Sequence, residues 1–295
     1  MDGILNINKA TGMTSHDVVA RIRKLLHQKR VGHTGTLDPA ANGVLPICLG
    51  QATRVAEYLS ESGKAYQAEI TFGIVTDTYD AEGQILRTAD ASALTREKIE
   101  AALPDFLGIQ QQMPPRYSAI KIKGQPAYKL ARAGTEVELE ARTVTLHTLQ
   151  IVAWNTPRLT LAVDCSKGTY IRSLAYDLGE KLGTGAHLSA LTRTRSGPFT
   201  LEQSITLEQL ASAIEENSVE ILLFPADIAL QNYPALYLDE QTTERVMHGN
   251  AFSYQIATPP SDQALARVYT PDGIFLAIAH WDRQQRQWQP KKVLV

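Results

Sequence analysis

The chain is 295 residues long, about two domains at roughly 150 residues each, and is 44% hydrophobic and 20% charged with a net charge of −2. These values exclude a disulfide-stapled miniprotein and wholesale disorder. No apolar run approaches the roughly 20 residues of a membrane helix, and the start MDGILNINKA lacks the basic and apolar regions of a secretory signal. Cys48 and Cys165 sit among apolar neighbours at a spacing that makes neither a disulfide framework nor a metal site. They read as core thiols in a reducing compartment, which makes the cytoplasm the expected location.

The near-neutral total hides blocks of charge. Residues 1–60 carry seven basic side chains against four acids, and residues 113–135 carry five (Arg116, Lys121, Lys123, Lys129, Arg132) and no acid. Residues 201–265 reverse the balance, with ten acids against Arg245 alone, and the tail turns basic again through Arg267, Arg283, Arg286, Lys291 and Lys292. Such separation is what a polyanion-binding face with an acidic far side would produce; scattered solvated charges would give the same counts.

In chain order, Thr14 or Ser15 caps a predicted helix whose apolar positions Val18, Val19, Ile22, Leu25 and Leu26 recur at helical spacing. Residues 33–50 have no period and read as a loop punctuated by glycine and proline. From Tyr66 the chain alternates, placing Tyr66, Ala68, Ile70, Phe72 and Ile74 on one face of a strand. DTYDAEG (77–83) reads as a turn without calcium-loop spacing. A helix is expected over 94–106, an extended segment from Met113, a short helix over 127–133, and strands over 143–152 and 159–165. A helix follows Gly168, with Ile171, Leu174, Ala175, Leu178 and Leu182 on one side, and another covers 206–223. The texture changes at Asn232–Pro234, and ARVYTPDGIFLAIA (266–279) is a hairpin signal. Two domains are expected, over 1–232 and 233–295.

Three features could carry chemistry. Asp38 sits in an aperiodic loop before Pro39, which restricts its backbone and presents the carboxylate in a defined direction. An Asp before Pro is also an ordinary turn residue, and the surrounding GHTG is no phosphate loop, because G-x-x-x-x-G-K-[ST] is absent. Tyr66 opens the alternating strand, as a core aromatic or as a stacking surface for an unstacked base. Arg172 falls in the first turn of the helix after Gly168, where a cation opposes the helix dipole by a few tenths of a kcal/mol unless an anion compensates. That placement hints at a negative partner.

The set NKATGMTSHDVV (8–19), GHTGTLDPAANGVL (32–45), KAYQAEITFGIVTDTYDAEG (64–83), PPRYSAIKIKGQPAYKLARAG (114–134) and GTYIRSLAYDLG (168–179) resembles the bacterial TruB family. Its members are tRNA pseudouridine synthases acting on uridine 55 of the T loop. The resemblance covers essentially the whole chain, and the tail from about Leu236 resembles a small PUA-like RNA-binding domain. One departure is visible: the family usually has Lys-Pro where this chain has Lys9-Ala10, which would loosen the lead into the first helix.

The resemblance implies a mixed α/β fold, a pseudouridine synthase-like catalytic domain around an antiparallel sheet with a small C-terminal PUA-like β domain. It implies that Asp38 is the essential aspartate and that Tyr66 stacks on the flipped uracil. Arg172 would pair with the aspartate, and His33, Tyr170 and Leu191 would contact the target nucleotide or shape its pocket. The reaction breaks N1–C1′, turns the base and rejoins it through C5, with no cofactor or metal; Asp38 could attack C1′, add to C6 or abstract the C2′ proton. One carboxylate can suffice, because the base is the second reactant and no water need be activated. The expected partner is the T stem-loop of tRNA, with no membrane and no obligatory protein partner, the enzyme acting as a monomer. A non-catalytic RNA-binding protein on the same scaffold is the alternative, distinguished by Asp38 with Arg172 and Tyr66, which mere binding does not require. A small-substrate hydrolase is disfavoured, since G-x-S-x-G is absent.

Overall fold

The structure, a computed structural model, describes residues 1–118, 121–122, 125–126, 139–255 and 260–294. The helix expected over 127–133, and Lys123, Lys129 and Arg132 of the basic block, lie outside the described residues.

A large twisted sheet holds β1 (Gly3–Lys9), β2 (Val31–His33), β3 (Asn42–Leu49) and β4 (Lys64–Phe72) in the first third of the chain. A short hairpin follows, β5 (Ile74–Thr76) with β6 (Ile85–Thr88), then β7 (Gly108–Gln112) and the two-residue pair β8 (Lys121–Ile122) and β9 (Gln125–Pro126). The large sheet resumes with β10 (Arg142–Asn155), β11 (Arg158–Cys165), β12 (Ala186–Ser196), β13 (Phe199–Thr200) and β14 (Leu223–Phe224). Its order is β14-β1-β3-β12-β4-β11-β10-β7, with β2 beside β3 and β13 beside β12. Among the described residues every pairing in this sheet is antiparallel except β3 with β12, which run parallel where Asn42 and Gly43 meet Thr192 and Arg193.

Helices α1 (Ser15–Leu25), α2 (Ala56–Ser60), α3 (Arg96–Ala102), α4 (Ile171–Lys181) and α5 (Leu207–Glu215) accompany it. Thr14 caps α1, its hydroxyl accepting the Asp17 N–H while the Asp17 carboxylate accepts the Thr14 N–H. Tyr66, Ala68, Ile70 and Phe72 form the buried face of β4 as their alternation predicts, and α4 buries Ile171, Leu174, Ala175 and Leu178. Ile74 does not extend that face, because the chain turns at Gly73, whose φ is 87°, into the β5 hairpin.

Three expectations change. Residues 42–49 are a strand, not a loop, and β1 is a strand with no predicted counterpart. Both are buried on two faces: Leu5, Ile7, Leu45, Ile47 and Leu49 pack under α1 and α5, while Ile4, Val44 and Cys48 point into another core. Two-sided burial removes the apolar–polar alternation by which a half-exposed strand is recognised. The single helix expected over 206–223 stops at Glu215, where Asn217 takes a left-handed φ of 53°.

The C-terminal part forms a separate four-stranded sheet, β15 (Ala235–Tyr237), β16 (Leu265–Tyr269), β17 (Phe275–Asp282) and β18 (Gln287–Val293), with α6 (Glu240–Met247) packed on it. The hairpin signal over 266–279 corresponds to β16 and β17. This sheet has its own core around Leu236, Val246, Val268, Leu276 and Trp288, yet Ile278 and Leu294 join the cluster that contains Ile4, Val44 and Phe199.

Candidate active site

The loop between β2 and β3 carries Asp38, and three buried polar side chains set its path. Ser15, the first residue of α1, accepts the Leu37 N–H at 2.9 Å and donates to the Leu37 carbonyl at 3.1 Å. Lys9, fully buried at the end of β1, donates to the carbonyls of Ala10 at 2.9 Å, Met13 at 2.8 Å and Pro39 at 3.3 Å. These bonds tie down the segment that Ala10 was expected to loosen. Burial pushes the Lys9 ammonium down to about 8, with Asp38 working the other way. Arg193 on β12, also fully buried, donates to the carbonyls of Gly35 at 3.2 Å, Thr36 at 3.3 Å and Val44 at 2.6 Å. The parallel join of β3 and β12 brings it there, and the approach is so close that a Cβ on Gly43 (φ 102°) would lie 2.3 Å from the Arg193 carbonyl oxygen.

Arg172 arrives from the other side, as the second residue of α4. Gln112 on β7 clamps the start of that helix, accepting the Tyr170 N–H at 2.8 Å and donating to the Tyr170 carbonyl at 3.0 Å. The guanidinium places Nε 3.0 Å from Asp38 Oδ2 and Nη1 3.3 Å from Asp80 Oδ2. Its remaining donors reach the Tyr117 carbonyl at 3.1 Å and the Thr78 carbonyl at 3.4 Å. The negative partner hinted at by a cation in a first helical turn is therefore two carboxylates. The side chain of Arg172 is 8% exposed and that of Asp38 41% exposed, so the arginine is sealed and the carboxylate keeps one side open.

That open side faces a cavity of about 520 Å³ lined by Asp38, Lys64, Tyr66, Tyr170, Leu191 and Arg193 among others. Tyr66 on β4 lies between Val163 of β11 and Arg193 of β12. Burial holds its hydroxyl above the ordinary tyrosine range, with Arg193 opposing. Leu191 sits opposite Ala68, and the half-buried Tyr170 hydroxyl is also raised by desolvation. Arg142 and Lys167 are exposed at the same cavity. A second cavity, of about 640 Å³, shares Leu37, Asp38 and Arg172 and is bounded by His16, Asp77, Asp80 and Tyr117.

Five of the six expected site residues, Asp38, Tyr66, Tyr170, Arg172 and Leu191, thus line one cavity. His33 does not line it. It packs edge-on against His16 with ring centroids 5.3 Å apart, and its Nδ1 accepts the Gly35 N–H at 3.3 Å. Burial, helped by His16 and Arg193, pushes its imidazole down to about 4. Sequence reasoning missed Lys9, Ser15, Lys64, Asp80, Gln112 and Arg193. Ser15 entered only as a cap candidate, Lys9 only in the Lys9-Ala10 departure and Asp80 only within the turn DTYDAEG; a buried cation carries no local sequence signal. Among the described residues no cluster of three or more His, Cys, Asp or Glu could hold a metal ion. Both cysteines are buried and free.

Comparison with known proteins agrees with this architecture. The model of the TruB family pseudouridylate synthase N-terminal domain matches residues 23–171, and that of the tRNA pseudouridylate synthase B C-terminal domain matches 172–231. The chain is 51% identical over 254 residues to tRNA pseudouridine synthase B of Symbiobacterium thermophilum, covering 85% of this chain and 83% of that one. It is 43% identical over 295 residues to the protein of the same name from Dehalococcoides mccartyi, covering 100% and 97%. Its structure superposes with a TM-score of 0.75 and 26% identity on a chain of an H/ACA ribonucleoprotein bound to a substrate RNA containing 2′-deoxyuridine, over 99% of this chain and 85% of that one. With the family models meeting end to end between residues 171 and 172, the aspartate on one side of the junction and its arginine on the other, the chain belongs to the TruB family of pseudouridylate synthases.

Proposed function

We propose that this synthase isomerises uridine 55 in the T loop of tRNA, with Asp38 as the carboxylate that acts on the target nucleotide. The ion pair of Arg172 Nε with Asp38 Oδ2 at 3.0 Å, on the wall of a cavity lined by Tyr66, Tyr170 and Leu191, carries the reading. The names of the relatives supply the substrate class. The target base is flipped from the stacked loop into the cavity at a cost of a few kcal/mol, offset by stacking on Tyr66 and by phosphate contacts from Arg142 and Lys167 at the mouth. Asp38 promotes rupture of N1–C1′, the base turns within the enclosed space, and C5 joins C1′. Arg172 holds the carboxylate aimed at the contents of the cavity. His33, behind the loop, accepts the Gly35 N–H and through it helps to shape the pocket. Residues 1–232 carry the chemistry and 233–295 act as a PUA-like RNA-binding module. The enzyme works in the cytoplasm as a monomer without cofactor, metal or protein partner.

Asp38→Asn keeps the size of the side chain and removes its charge. Conversion of uridine in tRNA, read by carbodiimide primer extension, is expected to fall by more than about 10³-fold, while tRNA affinity stays within about tenfold because phosphate contacts dominate it. Full activity in a folded Asp38→Asn protein would refute the assignment and leave the non-catalytic RNA-binding reading.

A further inference from the structure

We propose that the ammonium group of Lys64 holds the negative charge that uracil carries while it is detached from the sugar. The proposal rests on the reading of Asp38 and the cavity given above. Lys64 opens β4 two residues before Tyr66, so the two side chains share one face of the strand, and both line the cavity. Lys64 is 7% exposed, and the fully buried Arg193 lines the same wall. The ammonium donates to the Ser62 carbonyl at 3.0 Å and the Ser60 carbonyl at 3.3 Å. It has three donors, which leaves one for the contents of the cavity.

Among the described residues no carboxylate lies within ion-pair distance of Lys64 or Arg193, although the mouth residue Lys167 has Glu61. A buried cation without a counter-charge is costly, and this one stands where an anion would form. Cleavage of N1–C1′ leaves the bonding pair on the base, spread over N1, O2 and O4, and leaves C1′ electron-poor, a deficit met by Asp38. When C5 attacks C1′, the pair returns to bonding; C5 then loses its proton and N1 gains one, so the reaction is a net isomerisation. A cation fixed beside the base stabilises the separated charge more than the neutral uridine, which is the condition for accelerating the step. Phosphate groups fit the exposed Arg142 and Lys167 at the mouth better than a buried lysine sharing the face of an aromatic ring.

Burial and the neighbouring Arg193 on β12 push Lys64 down to about 8, Lys167 before α4 adding to the effect and Cys165 on β11 and Glu61 after α2 opposing it. The test is a single-turnover series from about pH 6 to 9.5 on a T stem-loop RNA, with wild type, Lys64→Met, Lys64→Arg and Asp38→Asn, each checked for folding by circular dichroism. Lys64→Met is expected to react about 10²–10³-fold more slowly with RNA affinity within about threefold. Wild type should lose rate above about pH 8, and Lys64→Arg should keep activity within about tenfold with a clearly smaller alkaline fall, because guanidinium does not titrate there while Lys9 under the Asp38 loop still does. With 5-fluorouridine at the target, followed by chromatography of the nuclease digest, the inductive pull of fluorine stabilises the base anion. The Lys64→Met penalty should then shrink about tenfold.

A folded Lys64→Met enzyme at the wild-type rate, beside an inactive Asp38→Asn, would overturn the proposal and leave the assignment of Asp38 intact. A loss confined to RNA affinity with a shallower salt dependence would overturn it in favour of a phosphate contact. If Lys64→Met does not fold, an alkaline limb unmoved in Lys64→Arg overturns it.

Discussion

Arg172 meets two carboxylates through different nitrogens, Nε to Asp38 and Nη1 to Asp80. A planar fork can do this and a single ammonium cannot, so the arrangement sets direction as well as charge. Asp80→Asn leaves the Asp38 contact and removes the second anchor; a loss of about 10–100-fold in single-turnover rate is expected, with tRNA affinity changed less than about threefold. Arg172→Lys should lose more, since it supplies charge without the fork. A wild-type rate in folded Asp80→Asn would reduce that contact to packing. His33 gives a prediction on stability. Its folded-state value near 4 lies below the ordinary 6.5, so the imidazole is neutral in the fold. As pH falls through 6.5 the unfolded chain takes up the proton first, and stability is lost down to about pH 4. The loss is on the order of 2 kcal/mol after allowance for partial solvation. Thermal melts over this range should show a flatter acid limb in His33→Gln than in wild type; identical limbs would show that another group controls acid unfolding.

At the scale of elements, the seam between β3 and β12 decides where the Asp38 loop sits. It delivers Arg193 under the Asp38 loop and brings the two backbones so close at Gly43 that a methyl group would strike the Arg193 carbonyl at 2.3 Å, at a φ of 102° that other residues rarely adopt. Gly43→Ala is expected to cost about 3 kcal/mol or more and to lower the midpoint of urea unfolding sharply, with Asp38 chemistry lost alongside; a midpoint near wild type would mean the seam can shift. Ser15 shows the same economy in α1, where the helix cap is left to Thr14 while the buried Ser15 hydroxyl is turned to Leu37. The helical spacing of α1 and the alternation of β4 were legible because each buries one face and wets the other. β1 and β3 were not, since each buries both.

At the scale of the whole molecule, the C-terminal sheet is fastened to the body and is not hung from a linker. Ile278 and Leu294 share a core with Ile4 and Val44. Tyr269 donates to Asp227 at 2.5 Å, and Lys292 reaches Glu57 at 2.7 Å and the Arg54 carbonyl at 2.6 Å. Removal of residues from 234 onward would strip this shared core, and truncating even one such buried side chain costs about 2–5 kcal/mol; a lower melting temperature is therefore expected with truncation as well as weaker RNA binding. Charge reversal separates the two effects. Arg283 and Arg286 are exposed beside Trp281. In Arg283→Glu/Arg286→Glu the melting temperature should hold while tRNA affinity falls and its salt slope drops by up to about 2. Turnover at saturating tRNA should be unchanged. An unaltered slope would show that this part of the tail does not touch the phosphate backbone.

The sequence by itself determined the half-buried elements, the change of texture near residue 233 and the separated blocks of charge, and it raised Asp38, Tyr66 and Arg172 as candidates whose roles come from the family resemblance. These depend on local quantities: periodicity, turn chemistry, a proline after an aspartate, a cation at the wrong end of a helix dipole. Tertiary structure alone decided that Lys9, Lys64 and Arg193 are buried, because a charged residue reads as surface until the fold surrounds it with carbonyls. It also decided that Asp80 meets Arg172 across 92 residues of chain and that β3 runs parallel to β12. Contacts at such separations are set by which faces must be buried together, a property of the closed core and not of any stretch of sequence.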